Sequence, residues 1–174
     1  VLIEGIIREL LKKYNLIHQA GDAHEYRDFD RLEKLRQALP EELRDNYILE
    51  KFIDPSEIRE LMRSSSLIVT RSGMNTVTEL IYFEKPALLI PLPFSQNEEQ
   101  LKNAKFLEKI GLGIVLQQRG LDSKKLLQAI NSMFHNIDSY KIDKRGFKMP
   151  SRNAAQNIIS VINYVYKSKT AKVS

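Results

Sequence analysis

Three short stretches carry residue types and spacings that could do chemistry. The first is Arg71-Ser-Gly-Met-Asn-Thr-Val-Thr-Glu79, directly after the apolar run Leu67-Ile-Val-Thr70. A buried strand that ends in Ser72 and Gly73 lets another group approach the backbone closely. A helix starting near Asn75 presents free N–H groups and the positive end of its dipole, which suits a phosphate. Glu79, further along that helix, offers a carboxylate able to accept two hydrogen bonds from a ribose diol. Thr76-x-x-Glu79 also has the form of a capping box, which needs no ligand, and spacing alone leaves both readings open.

The second stretch is Pro91-Leu-Pro-Phe-Ser-Gln-Asn97-Glu-Glu-Gln100, a stiffened loop leading into a helix. Glu98, Glu99 and Gln100 in its first turn are fit to hydrogen-bond sugar hydroxyls. Asn97-x-x-Gln100 is again cap-like, and acids in a first turn favour the helix dipole without any ligand. The third is Phe52-Ile53 at a strand end, where a backbone N–H and C=O could read a nucleobase edge with Phe52 beside the ring. The plain end of a core strand is the alternative. His18 also ends a strand, where a single histidine reads as structural rather than as a base. The sequence holds no Ser/His/Asp set and no facing carboxylate pair, so no residue is assigned a catalytic role.

The elements that must position these stretches follow from periodicity. Ile3, Ile6, Ile7, Leu10 and Leu11 form one apolar helix face, and Leu16–Gln19 a short strand closed by Gly21-Asp22. A helix near Phe29–Ala38 stops at Pro40, and Asn46–Phe52 is a second strand. Asp54-Pro55-Ser56-Glu57 combines a capping Asp, Pro at the first helical position and Glu three residues after the cap. Leu67–Thr70 reads as a strand covered on both faces. Helices then alternate with strands: Asn75–Phe83, Ala87–Pro91, Asn97–Ile110, Gly111–Leu116 and Asp122–Phe134. A basic irregular segment precedes a last amphipathic helix, Asn153–Tyr166. The alternation means βαβ units, hence an α/β, doubly wound, parallel, Rossmann-like sheet. In the strand order 3-2-1-4-5-6 the first strand is central and its turn carries a Gly-rich phosphate loop. The sequence shows neither, and we expect it to begin after a lost strand.

The 174 residues suit one domain, 1–174, with a basic C-terminal segment and closing helix at 140–174. Cysteine is absent, which excludes disulfides, thiolate metal sites and a Cys nucleophile, and His18, His24 and His135 lack metal spacing. Net charge is 27 − 22 = +5; residues 140–174 hold eight basic side chains against Asp143, so that stretch is +7 and the remainder −2. A basic end suits a solvated helix terminus or an anionic surface; a nucleic-acid interface would interleave bases with aromatics across a face. No run approaches the roughly 20 apolar residues of a membrane span, and no signal peptide pattern opens the sequence. The chain reads as soluble and intracellular.

Together these segments resemble the MurG-like GT-B glycosyltransferases of glycosyltransferase family 28, in their C-terminal, UDP-sugar-binding half. The resemblance rests on His18-Gln-Ala-Gly21, Glu50-Lys-Phe-Ile53, Arg71 to Glu79, Lys85-Pro-Ala-Leu-Leu-Ile-Pro91 and Asn97-Glu-Glu-Gln-Leu-Lys-Asn-Ala104, in order, across residues 2 to 116. It implies that the Ile53 backbone holds uracil with Phe52 alongside. Met74, Asn75 and Thr76 would face the diphosphate and sugar, beside Arg71, Ser72 and Gly73. Glu79 would bind the ribose hydroxyls, and Glu99 and Gln100 would select the sugar. The family has a second Gln where Glu99 stands, and Glu cannot donate a hydrogen bond.

The resemblance further implies the donor-binding half of an inverting transferase that moves N-acetylglucosamine from its UDP ester to a lipid-linked muramyl-peptide in peptidoglycan synthesis. It implies no cofactor and no required metal. The acceptor site and general base would belong to a missing N-terminal domain, so this part alone would be inactive. The expected location is cytoplasmic and peripheral to the inner face of the plasma membrane, with an anionic membrane surface as candidate partner and no nucleic acid. The alternatives are a diacylglycerol glucosyltransferase domain and a non-catalytic or split subunit docking on a separate acceptor-binding chain.

Overall fold

The structure is a computed structural model that describes residues 2–23, 25–142, 147 and 153–170. His24 and the basic residues Lys144, Arg145, Lys148, Arg152 and Lys172 lie outside the described residues. The chain forms two compact units, Val1–Ile142 and Asp143–Ser174.

The first unit opens with a 3-10 turn, Leu2–Gly5, and a short helix α1, Ile7–Leu11. Strand β1, Leu16–Gln19, is followed by helices α2, Asp28–Gln37, and α3, Glu41–Arg44, and by strand β2, Tyr47–Glu50. Helix α4, Pro55–Ser64, then leads to β3, Ile68–Thr70. Helix α5, Met74–Phe83, β4, Ala87–Leu89, helix α6, Glu99–Lys109, β5, Gly113–Val115, and helix α7, Ser123–His135, complete the alternation. The second unit holds α8, Ala154–Thr170, longer at its C-terminal end than the apolar pattern suggests. No described helix is long and apolar enough to cross a membrane.

All strand pairings are parallel, as the alternation requires, and fall into two ladders, β1-β2 and β3-β4-β5. These are the 3-2 and 4-5-6 halves of the doubly wound order. No described residue supplies the strand that would join β1 to β3. This explains the one strand whose burial departs from expectation. β3 pairs only with β4, and Val69 is 44% exposed. β4, paired on both sides, is fully buried.

Helix α1 shows how so short an element is held. Ile6, just before it, and Leu10 enter a core with Leu88, Leu126, Ile130 and Met133. Ile7 and Leu11, one residue on and so about 100° around the helix, enter a second core with Leu32, Leu39, Tyr47 and Leu49. Five residues cannot sustain a helix alone; burial of each of these side chains, about 1.5–3 kcal/mol, does it. Leu88 faces the α1–α7 side, so strand alternation sends Ala87 and Leu89 to the other face. Val77, Leu80, Ile81, Ala104 and Leu107 are buried on α5 and α6. β4 and β5 approach so closely that a Cβ on Gly113 would collide with the Ala87 carbonyl oxygen.

His18 shares a 3.0 Å hydrogen bond between Nδ1 and the Tyr47 hydroxyl, at the margin of the second core. Burial lowers the His18 pKa below its ordinary 6.5, outweighing the nearby Asp28 carboxylate. Burial also pushes the Tyr47 phenol up to about 12. Below pH 6.5 the unfolded chain therefore binds a proton at His18 that the folded chain resists, so stability is full above 6.5 and falls as pH drops through it. Between pH 10 and about 12 the unfolded chain ionises Tyr47 while the folded one does not, so stability is full below 10 and declines above it. Urea midpoints measured across both ranges are expected to show both flanks. Tyr47→Phe is expected to lose stability less steeply than the parent between pH 10 and 12; parallel alkaline flanks in the two proteins would refute the assignment.

Candidate functional site

The strand end after β3 is fastened before any ligand is considered. Ser72 is fully buried, and its Oγ donates to the Gln100 carbonyl at 2.7 Å. Asn103 Nδ2 donates to the Ser72 carbonyl at 3.1 Å, so both its polar ends are tied to α6. Arg71 is a strut: its guanidinium donates to the Ile90 carbonyl at 2.9 Å and to Gln118 Oε1 at 2.6 Å. It thereby spans the ends of β3 and β4 and the loop beyond β5. Partial burial lowers its pKa from the ordinary value, but a guanidinium stays charged in a protein. Gln118 carried no signal in the sequence, because nothing local marks a residue that only matters to an arginine 47 positions away.

Helix α5 begins at Met74 with Gly73 as its cap, and among the described residues no side chain bonds to its free N–H groups. Thr76 is thus inside the first turn, so Thr76-x-x-Glu79 is not a capping box here. Glu79 is exposed, and among the described residues its carboxylate has no hydrogen-bond or ion-pair partner. Gly73 has φ −62°, which any residue adopts, and a Cβ there would meet nothing within 4 Å. The fold does not demand glycine at this position; what glycine leaves is open space beside a bare helix start. Helices α4 and α7 are built otherwise. Asp54 accepts from the Ser56 N–H at 2.8 Å and its Oγ at 2.6 Å, bonds that hold its pKa below the usual value, and Asp122 accepts from the Lys125 N–H at 2.8 Å.

The Asn97–Gln100 segment also departs from the cap pattern. A 3-10 turn, Gln96–Glu98, precedes α6, and Asn97 and Glu98 both have positive φ, 51° and 55°. Ser95 Oγ, not Asn97, accepts from the Gln100 N–H at 3.3 Å, and Gln100 Oε1 accepts from the Leu92 N–H at 3.0 Å. Glu99 is exposed at the first position of α6. The Ser72–Gln100 bond therefore joins the start of α6 to the strand end that Arg71 precedes, and Gly73, Met74, Asn75 and Thr76 continue that corner. Phe52 and Ile53 belong to the other ladder, beyond β2, and no hydrogen bond among the described residues links them to that corner. There Phe52 is 67% exposed, and the Ile53 N–H donates to Gln19 Oε1 at 3.0 Å.

Two surface cavities of about 550 and 300 Å³ lie elsewhere, the first lined by residues including Arg36, Arg44 and Tyr47 and the second by residues of Glu4–Glu9 with Leu35 and Ala38. Neither includes a candidate residue. Among the described residues no group of three or more His, Asp or Glu is placed to hold a metal ion.

Comparison with known proteins places the chain in a family. The model of the glycosyltransferase family 28 C-terminal domain matches residues 2–158. The chain is 31% identical over 169 residues to a Clostridium tetani protein named UDP-N-acetylglucosamine–N-acetylmuramyl-(pentapeptide) pyrophosphoryl-undecaprenol N-acetylglucosamine transferase, covering 97% of this chain and 43% of the relative. It is 30% identical over 168 residues to the Pelagibacter ubique protein of the same name, covering 93% and 45%. The chain thus spans less than half the length of these curated relatives. The crystal structure of Acinetobacter baumannii MurG aligns with a TM-score of 0.67 at 24% identity, over 94% of this chain and 46% of that one, and shares its fold. The chain belongs to the glycosyltransferase family 28 C-terminal domain family.

Proposed function

We propose that the chain is the donor-binding half of an inverting glycosyltransferase that takes N-acetylglucosamine from its UDP ester and delivers it to a lipid-linked muramyl-peptide acceptor in peptidoglycan synthesis. The observation that carries this reading is the uncapped start of α5 at Gly73, with open space beside it and the unengaged Glu79 carboxylate on the same helix. Unpaired N–H groups and the helix dipole there stabilise a diphosphate, and Arg71, held at the ends of β3 and β4, adds a fixed positive charge. Glu79 accepts the ribose hydroxyls. Phe52 and the Ile53 backbone take the uracil, and Glu99 and Gln100 meet the sugar.

In the reaction the acceptor hydroxyl attacks the anomeric carbon, the bond to the UDP oxygen breaks, and the helix start and Arg71 stabilise the charge growing on the departing diphosphate. The base that takes the acceptor proton and the lipid site belong to a separate acceptor-binding domain. The relatives' names specify an undecaprenol-linked acceptor; such an acceptor supports a location at the cytoplasmic membrane face, and the +7 charge of residues 140–174 would favour an anionic surface.

Glu99 favours a second reading, a lipid glucosyltransferase, because an acceptor-only side chain stands where the family carries a donor-capable Gln. Competition between UDP-N-acetylglucosamine and UDP-glucose for the same site separates the two: the first reading expects the N-acetyl sugar to bind more tightly, and preference for UDP-glucose would overturn it. Because Glu79 caps nothing, Glu79→Ala is expected to keep its melting temperature while weakening UDP binding by about 1–3 kcal/mol, the range for hydrogen bonds to a charged group. Calorimetric titration showing unchanged UDP affinity would remove Glu79 from the site.

A further inference from the structure

The Ile53 amide, on which the uracil assignment rests, is already occupied. Its hydrogen points at Gln19 Oε1, 3.0 Å away, from a residue 34 positions earlier at the end of β1. A backbone N–H can only donate, so the atom facing it must be the carboxamide oxygen, and that fixes the side chain's orientation. Gln19 is itself exposed and, among the described residues, has no other hydrogen-bond partner. Its primary amide presents a carbonyl beside an N–H, the same acceptor–donor pair that the imide edge of uracil presents.

Gln19 is not needed to hold these two strand ends together. The Ala20 N–H donates to the Glu50 carbonyl at 2.8 Å and the Gly21 N–H to the Lys51 carbonyl at 2.9 Å. Lys51 Nζ lies 3.1 Å from Asp22 Oδ1. Gly21, at φ +75°, then turns the chain away. The Gln19–Ile53 bond is an additional closure laid across an edge that three other contacts already fix. Beside it Phe52 leaves most of its ring in solvent, a free stacking face adjoining an amide that is not free.

We propose that the Gln19 carboxamide is a built-in stand-in for the nucleobase: it holds the Ile53 amide while the site is empty and leaves it when a uracil carbonyl arrives. This rests on the donor-site reading above and deepens it, since it makes Gln19 a residue that sets affinity for uridine nucleotides without contacting the sugar or the phosphates. The exchange is one neutral hydrogen bond for another at an exposed position, so its effect is modest. It acts as a threshold that the carbonyl-and-N–H edge of uracil can match, whereas adenine presents an amine and a ring nitrogen there and carries no carbonyl.

The test is titration of the 174-residue chain with UDP, and with ADP as control, in the parent, Gln19→Ala and Gln19→Glu. Removing the competitor is expected to tighten UDP binding by about two- to tenfold, the span of one net hydrogen bond. A carboxylate holds the amide more strongly, so Gln19→Glu is expected to weaken UDP by a similar factor. Any weak ADP binding should be the same in the parent and Gln19→Ala. In the nucleotide-free protein, Gln19→Ala is also expected to speed hydrogen exchange at the Ile53 amide. UDP affinity that is unchanged or reduced in Gln19→Ala would overturn the inference and leave the donor-site reading standing. Absence of UDP binding in all three proteins would remove both.

Discussion

The candidate site depends on one buried hydroxyl. Ser72 has no exposure, and its Oγ and carbonyl are both bonded to α6, through the Gln100 carbonyl and the Asn103 amide. A buried polar group left unpaired costs about 1–3 kcal/mol, so these bonds fix the turn from β3 into α5 against the start of α6. Arg71 on one side and Gly73 on the other inherit that fixed position. Gln100, whose side chain also holds the Leu92 amide, sets the following loop by the same connection.

With the corner fixed, its chemistry follows from which helix starts are already satisfied. Asp54 and Asp122 place a carboxylate on the first turns of α4 and α7 and so neutralise them. Gly73 places nothing on α5. An anion arriving there meets unpaired donors and need displace no carboxylate, and Arg71 waits in a geometry set by Ile90 and Gln118. The nucleobase end works differently in the proposed scheme: the Ile53 amide is engaged by the protein's own side chain, so base binding is an exchange while phosphate binding is an addition.

Much of this was legible in the sequence, for local reasons. The Asp54-Pro55 helix start, the helix after Asp122 and the strand inside Ala87–Pro91 follow from rules that act within a few residues, and the structure has them where expected. The family followed from the order of its motifs. What was not legible depends on distant partners. Whether Thr76-x-x-Glu79 caps a helix is decided by where the helix begins, and with Ser72 tied to α6 it begins at Met74, three residues too early for that box. Asn97 gives way to Ser95 as partner of the Gln100 amide because two successive positive φ values redirect the chain. The Arg71–Gln118 and Gln19–Ile53 bonds join residues 47 and 34 positions apart, and no periodicity announces them.

The central claim is that the bare start of α5 grips the diphosphate of a uridine nucleotide. A crystal structure of the chain grown with UDP tests it most directly. The account requires diphosphate oxygens within hydrogen-bonding distance of the first-turn N–H groups at Met74–Thr76 and ribose hydroxyls on the Glu79 carboxylate. A nucleotide bound elsewhere, as in the cavity beside Arg36 and Arg44, with the α5 start left to solvent, would contradict it.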